Sequence, residues 1–479
     1  MATANKKIVI EPVTRVEGHG KVTIQLDAKG EVADARLHIV EFRGFERFIQ
    51  GRPYWEVPVL VQRLCGICPV SHHLAAAKAM DGIAGAEKIT PTAEKIRRLM
   101  HYGQTFQSHA LHFFHLASPD LLFGFGAPVA KRNVIAVAAE YKELAVQGVM
   151  MRKYGQEIIK ATAGKKIHGT GAIPGGVNKN LTIAERDVFL ADIEPMLTWC
   201  RSALKLAKDY TVEHLELAKG FAAFPSNHLS IVRADGCLDL YDGKLRAIDA
   251  DGKRILDQVD PQDYLQVIAE EVRPWSYMKF PFIKSIGPAD GWYRVGPLAR
   301  INTCDFIDTP EAEAARKEFM AVTGGKPNNL SLAYHWARMI ELLHAGEKIK
   351  ALLNDRDLQG KDLIVKGQRR GEWAAIVEAP RGTLFHHYRV DAQDRVTMAN
   401  LIVSTTSNNE PMNRAVQSIA KAYLSGKPEI TEGMLNHIEV GIRAYDPCLS
   451  CATHALGRMP LEVELRDCEG GLLDRRRTT

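Results

Sequence analysis

Two cysteine pairs of equal spacing, Cys65-Gly66-Ile67-Cys68 and Cys448-Leu449-Ser450-Cys451, stand near opposite ends of a 479-residue chain. Together they offer four thiolates, a ligand set suited to zinc, nickel or iron. A C-x-x-C pair that enters a helix places its two sulfurs on one face, roughly 5–6 Å apart at Cβ, close enough to share one ion. Pro69 suits the first helical position after Cys68, where the positive helix end favours thiolate over thiol. Asp446-Pro447 repeats the design. Asp446 reads as an N-cap and Pro447 as the first helical residue, with Cys448 and Cys451 one turn apart just inside. A structural zinc is one reading of four cysteines. Against it stand the separation of the pairs, since structural zinc usually closes a short local loop, and the ionisable neighbours His72, Asp446 and His454. Cys200, Cys237, Cys304 and Cys468 are scattered singly and read as small buried hydrophobes.

The elements that must position these pairs are mainly helical. Composition is ordinary for a globular protein, with 46% hydrophobic and 25% charged residues. A net charge of +5 spread over the chain, with its one arginine run at Arg475-Arg476-Arg477, gives no nucleic-acid footprint. No apolar run reaches membrane-spanning length, and Met1 to Glu11 lacks the apolar core of a secretion signal. Alternation from Ile8 to Val40 predicts a small antiparallel sheet within residues 1–50, interrupted by Arg15-Val16-Glu17-Gly18-His19. Thr90-Pro91 opens a helix towards Leu116 that carries His101, His109, His112 and His115. Interleaved Leu111, Phe113 and Phe114 make these read as satisfied buried histidines rather than a metal face. Val134 to Ile159 predicts one long bundle helix, and the Thr182–Glu185 capping box opens another ending near Gly220. Turn signals set two sheet insertions, at residues 230–258 and 374–406, and a last helix from Glu432 feeds into Asp446. The expected fold class is α+β, mainly helical: one domain over residues 1–454 with a long-helix core and small peripheral antiparallel sheets, followed by an extension over 455–479.

Taken together, the motifs carry a family resemblance. Arg63-x-Cys65-Gly-x-Cys68-x-x-x-His72 and Asp446-Pro-Cys448-x-x-Cys451-x-x-His454 resemble the two cysteine motifs of the nickel–iron hydrogenase large subunit. Arg15-Val-Glu17-Gly-His19, Phe42-Arg-Gly-Phe-Glu46 and Glu378-Ala-Pro380-Arg381-Gly match further blocks in the same order. The resemblance implies nickel held by all four thiolates, with Cys65 and Cys448 terminal and Cys68 and Cys451 bridging to an iron that carries CO and cyanide. It implies that Glu17 accepts a proton from Cys448, that Arg381 lies over the open site, and that Pro380 and Thr405 surround the cyanides. His72 is implied as a hydrogen-bond donor to a bridging sulfur. Glu46 and His454, with a backbone carbonyl near Leu401, are implied as ligands of a magnesium ion. Gln107-Ser108-His109 departs from relatives that have a carboxylate here, which leaves open any Arg381 salt bridge through that position.

The version of the motifs in this chain is most similar to the cytoplasmic, NAD-reducing group. The implied activity is reversible splitting of H2 into protons and electrons. The chain has no dinucleotide fingerprint and no spare cysteine set for a cluster, so electrons must leave through partners. The resemblance implies a small subunit with an iron–sulfur cluster and a diaphorase carrying FMN and NAD, with no membrane or nucleic-acid partner. It also implies an endopeptidase that cuts after His454 once nickel is inserted. Before the cut, Leu461–Leu465 is expected to add to an exposed strand edge and hold the second cysteine pair away from the first. Two further readings stay open: a cytoplasmic relative with a sulfur or heterodisulfide acceptor, and a non-catalytic subunit like that of respiratory complex I.

Overall fold

A computed structural model of the chain describes residues 7–453, 462–466 and 472–477. The alternation near the start folds as read: Lys7–Ile10, Gly20–Leu26 and Val32–Ile39 form an antiparallel sheet that buries Val22, Ile24, Leu37 and Ile39. The chain between the first two strands, Glu11 to His19, leaves this sheet and reaches the cysteines.

Helices make the body. Thr90 caps Pro91–Leu111 by accepting the Ala93 N–H, and the Thr182 capping box opens Ile183–Glu213. The helix Ala333–Leu353 is buried on nearly every side, as its apolar sequence requires of a central bundle helix. Lys142–Ala163 packs along Pro91–Leu111, burying Met151, Tyr154 and Ile158. The two helices meet at Gly103 and Gly155. A Cβ added to Gly155 would lie 2.5 Å from the Gly103 carbonyl oxygen, so the close approach requires glycine. The single helix expected over Val134–Ile159 is instead two, Val134–Glu140 and Lys142–Ala163, because Tyr141 leaves helical geometry at φ −128° and ψ 53°. Val134 and Tyr141 are exposed.

The histidine-rich helix also changes character. After Leu111 it widens into a π-helical stretch, His112–Ala117, before Ser118–Phe123 continues it. Such widening frees carbonyls from the regular ladder, and the Leu116 carbonyl accepts a hydrogen bond from Arg15. The histidines serve the core as expected. His101 Nε2 donates to the Leu240 and Glu378 carbonyls, and His112 Nε2 to that of Arg443. Burial drives the pKa of His101, His109 and His344 down to about 4, so these rings are neutral at physiological pH.

Two further sheets sit at the predicted insertions. Asn227–Val232, Lys244–Ile248 and Arg254–Val259 form an antiparallel meander, to which Tyr293–Arg294 adds a parallel edge. Glu372–Ala379, Gly382–Val390 and Val396–Ile402 form the other, with register Glu378↔Thr383 and His386↔Leu401. The turn between its first two strands carries Pro380 and Arg381 into the interior. Past Thr453, Glu462–Arg466 pairs antiparallel with Leu472–Arg477 as a two-stranded sheet of their own. Of the segment expected to add to an edge of the body, Leu461 lies outside the described residues and Glu462–Leu465 pairs within the extension instead.

Candidate metal centre

Pro69 does begin a helix, Pro69–Ile83, with Cys68 at its N-cap. The loop before it is folded around the first sulfur: Cys65 Sγ accepts the N–H groups of Ile67 and Cys68 at 3.2 and 3.1 Å. Gln104 and Gln107, one turn apart on the neighbouring helix, both donate to the Ile67 carbonyl at 2.9 and 2.8 Å. The second pair is held differently. Asp446 is not an N-cap: it has φ +54°, and Cys448 is extended at φ −109° and ψ 91°, followed by a single tight turn, Leu449–Cys451. The reason is competition for the Asp446 carboxylate, which binds Arg381 instead of the following amides.

These loops converge. All four sulfurs lie within 4.8 Å of one another, and they form the one metal-capable group found among the described residues. Cys65 and Cys448 are 3.2 Å apart, Cys448 and Cys451 2.9 Å, and Cys68 and Cys451 3.9 Å. Each cysteine is buried. The sulfurs of the two pairs lie together in this structure. Thr405 and Glu17 account for the placement: the Cys448 N–H donates to Thr405 Oγ1 at 2.9 Å, and the Leu449 N–H to the Glu17 carbonyl at 3.0 Å.

Charge decides what this cluster is built for. Burial opposes ionisation of Cys65, but hydrogen bonds from Cys448, Cys451 and Cys68 and the nearby Arg381 charge outweigh it and hold the thiol well below its ordinary pKa. Cys448 and Cys451 are pushed well above theirs, by burial first; the other three sulfurs add to this at Cys448, while at Cys451 the Cys448 sulfur opposes it and those of Cys65 and Cys68 add to it. Four thiolates cannot share this volume without added positive charge. A soft cation supplies it, so the donor set fits a thiolate-bound metal.

Glu17 approaches from the N-terminal sheet. Its Oε2 lies 3.0 Å from Cys448 Sγ and also accepts the Ser450 N–H at 3.1 Å. The approach depends on Gly18, at φ +84°, where an added Cβ would stand 2.8 Å from Ser450 N. Arg15, two residues earlier, forms a two-point ion pair with Asp120 at 2.6 and 3.0 Å, and Arg443 donates to the same carboxylate at 2.9 Å. That clamp fixes the loop that delivers Glu17.

Arg381 covers the cluster from the sheet side. Its Nε donates to the Asp446 carbonyl at 2.6 Å, one Nη to the Asp446 carboxylate at 3.1 Å and the other to Ser108 Oγ at 3.5 Å. No salt bridge to Arg381 forms through Gln107-Ser108-His109, where only Ser108 Oγ meets it; its acid is Asp446 instead. Pro380, Thr405 and His72 line one pocket with Arg381, Cys68, Cys448 and Cys451. His72 Nδ1 lies 3.2 Å from His386 Nε2, which puts that ring nitrogen towards the sheet. Glu46 is buried and accepts the Leu401 N–H at 2.8 Å. The Arg43 N–H donates to the Thr453 carbonyl at 3.0 Å, so the chain reaches this region just before His454, which itself lies outside the described residues. Cys200, Cys237 and Cys304 are buried free thiols, as expected of small hydrophobes; Cys468 lies outside the described residues.

Reading the sequence missed Asp120, Arg443, Gln104, Arg300 and Glu341. The signal for the last two was present: Leu298-Ala299-Arg300-Ile301 and Ile340-Glu341-Leu342 each set a charge inside an apolar helical run, where a charge must be paired.

Comparison with known proteins agrees with this geometry. A family profile described as nickel-dependent hydrogenase matches residues 43–123 and 248–454, and one described as HoxL-like matches residues 7–42. The NAD-reducing hydrogenase HoxS subunit beta of Cupriavidus necator is 51% identical over 98% of this chain and 99% of its own. An F420-non-reducing hydrogenase (vhc) of Methanococcus voltae is 42% identical over 98% and 99%. A crystal structure of an NAD+-reducing [NiFe]-hydrogenase in the H2-reduced state superposes with a TM-score of 0.92 at 57% identity, covering 94% of this chain and 100% of that one. By fold, by its four convergent sulfurs and by these likenesses, the chain belongs to the nickel-dependent hydrogenases.

Proposed function

We propose that this chain is the catalytic subunit of a cytoplasmic hydrogenase that splits H2 reversibly and sends the electrons through partner subunits to NAD+. The observation that carries the reading is the Glu17 carboxylate 3.0 Å from Cys448 Sγ within a buried four-sulfur cluster. The four cysteines would hold a nickel–iron centre with CO and cyanide on its iron, which would supply the electron-accepting chemistry for H2. The residues handle what the metals cannot. Glu17 takes the proton from the Cys448 sulfur, being the carboxylate in direct hydrogen-bond contact with it. Arg381, with its fork fixed by Asp446, presents a rigid positive charge over the cluster. Pro380, Thr405 and His72 line the pocket beside Cys68, Cys448 and Cys451 and would surround the ligands of the iron. Glu46 and His454, with a backbone carbonyl near Leu401, would hold a magnesium ion, a role supported by the burial of Glu46 and the tie between Arg43 and Thr453.

Electrons leave through a small subunit with an iron–sulfur cluster, then through a diaphorase with FMN. The higher identity to an NAD-reducing relative than to the F420-non-reducing one favours NAD+ as acceptor. Among the described residues no helix is long and apolar enough to cross a membrane. The experiment is an acceptor assay on the purified complex: H2-dependent formation of NADH is expected, and reduction of an artificial dye without NADH would point to a sulfur or heterodisulfide acceptor.

Residues 455–479 are proposed as a maturation extension removed by an endopeptidase after His454. The reading is supported by the Arg43 N–H holding the Thr453 carbonyl, which ties the residue before His454 to the segment that carries Glu46. Intact-mass measurement on the active, nickel-loaded protein is expected to give a chain ending at His454. A chain still ending at Thr479 would contradict it.

A further inference from the structure

Beneath the Pro380–Arg381 turn lies a charged cluster that takes no part in holding metal. Arg300, on the short helix Pro297–Thr303, has no exposed surface, and all five of its N–H groups are engaged. Nε and one Nη form a two-point pair with Glu341, both at 2.6 Å. The other Nη donates to the Glu378 carboxylate at 2.8 Å. The two remaining N–H groups go to backbone: the Ala379 carbonyl at 2.9 Å and the Pro380 carbonyl at 3.2 Å. These are the two peptide groups that immediately precede Arg381.

Both carboxylates are themselves braced from other elements. Glu341 receives His109 Nε2 at 3.0 Å, and the Arg300 charge outweighs burial to leave its pKa at about 2. Glu378 accepts the Ile231 N–H at 2.9 Å and Thr383 Oγ1 at 2.8 Å. The helix that carries Arg300 also abuts the turn directly. A Cβ on Gly296 would stand 2.8 Å from the Arg381 carbonyl oxygen, and one on Gly382 would stand 2.3 Å from Val295 Cγ2. The backbone on either side of Arg381 is therefore fixed from below, while its side chain is fixed from above by Asp446.

From this geometry we infer that Arg300 is a positioning residue for the hydrogen-splitting reaction: it sets the Ala379–Pro380 backbone and through it the placement of Arg381 over the four sulfurs. The inference rests on the proposed reading of Arg381 as the group facing the reacting site. A fork with five donors is needed because two carboxylates and two carbonyls must be satisfied at once, which the three donors of an ammonium on a flexible stem cannot do.

The test is a double-variant cycle on the nickel-loaded complex, read by turnover, by nickel and iron content, and by infrared bands in the region of metal-bound CO and cyanide. Arg300→Lys keeps the buried positive charge but gives up the two backbone bonds. It is expected to retain the metals, shift the infrared bands and lower turnover about 10–100-fold. In an Arg381→Lys background the same change is expected to cost less than about 2-fold, because the group it positions is gone. Equal losses in both backgrounds, or unshifted bands, would overturn the positioning role. Should Arg300→Lys not accumulate, Glu341→Gln loosens the two-point grip while leaving Glu378 as counter-charge, and enters the same cycle with the same criteria. Full turnover in Arg381→Lys alone would overturn the underlying reading of Arg381, a result distinct from additive losses.

Discussion

Replacing Cys65 or Cys451 by serine is expected to abolish nickel retention together with turnover. A serine alkoxide is harder and far more basic than a thiolate, so at neutral pH the position would offer a neutral hydroxyl in place of a soft anion. At Cys65 the loss is compounded, because the sulfur is where two backbone N–H groups and the Arg381 charge stabilise negative charge. At Cys451 the sulfur stands between those of Cys448 and Cys68, so its removal breaks the set at its centre. The protein itself should still fold, since Gln104 and Gln107 hold the first loop through the Ile67 carbonyl and Thr405 holds the second through the Cys448 amide. Nickel quantified per folded chain is the measurement. A variant with stoichiometric nickel and wild-type turnover would remove the four-cysteine assignment.

Glu17→Gln separates the metal from the proton. The substitution preserves shape, and the amide oxygen can still accept the Ser450 N–H that orients the side chain. What it removes is a base beside the Cys448 sulfur. Nickel and iron content should be unchanged, while turnover should fall by roughly 10²–10⁴, the range for loss of a positioned general base. Exchange between H2 and deuterated water follows the proton directly. Exchange at the unaltered rate would mean that the proton leaves by another way.

The fold and the site were legible to different depths. Local signals with a single outcome read true: Thr90-Pro91, the Thr182 capping box and the alternating strands of the first forty residues each satisfy backbone groups within a few positions. The π-helical stretch at His112 was not legible, because it deviates where a distant partner meets it, as Arg15 does at the Leu116 carbonyl; nothing in the structure explains the break at Tyr141. The cysteines were legible as types at recurring spacing, whereas Glu17 and Arg381 were legible only through the family resemblance. Asp446 was misread because an N-cap and an ion-pair partner use the same carboxylate, and nothing near it in sequence tells of Arg381. Arg300, Glu341 and Asp120 show the same limit: a charge inside an apolar run announces that a partner exists, and only the packed chain says which.

Whether the four buried sulfurs hold a nickel–iron centre is read by metal analysis combined with infrared spectroscopy on the purified complex. One nickel and one iron per chain are expected at this site, with the sharp bands of metal-bound CO and cyanide. Zinc in place of nickel, with no such bands in protein that is nonetheless folded and complete, would contradict it.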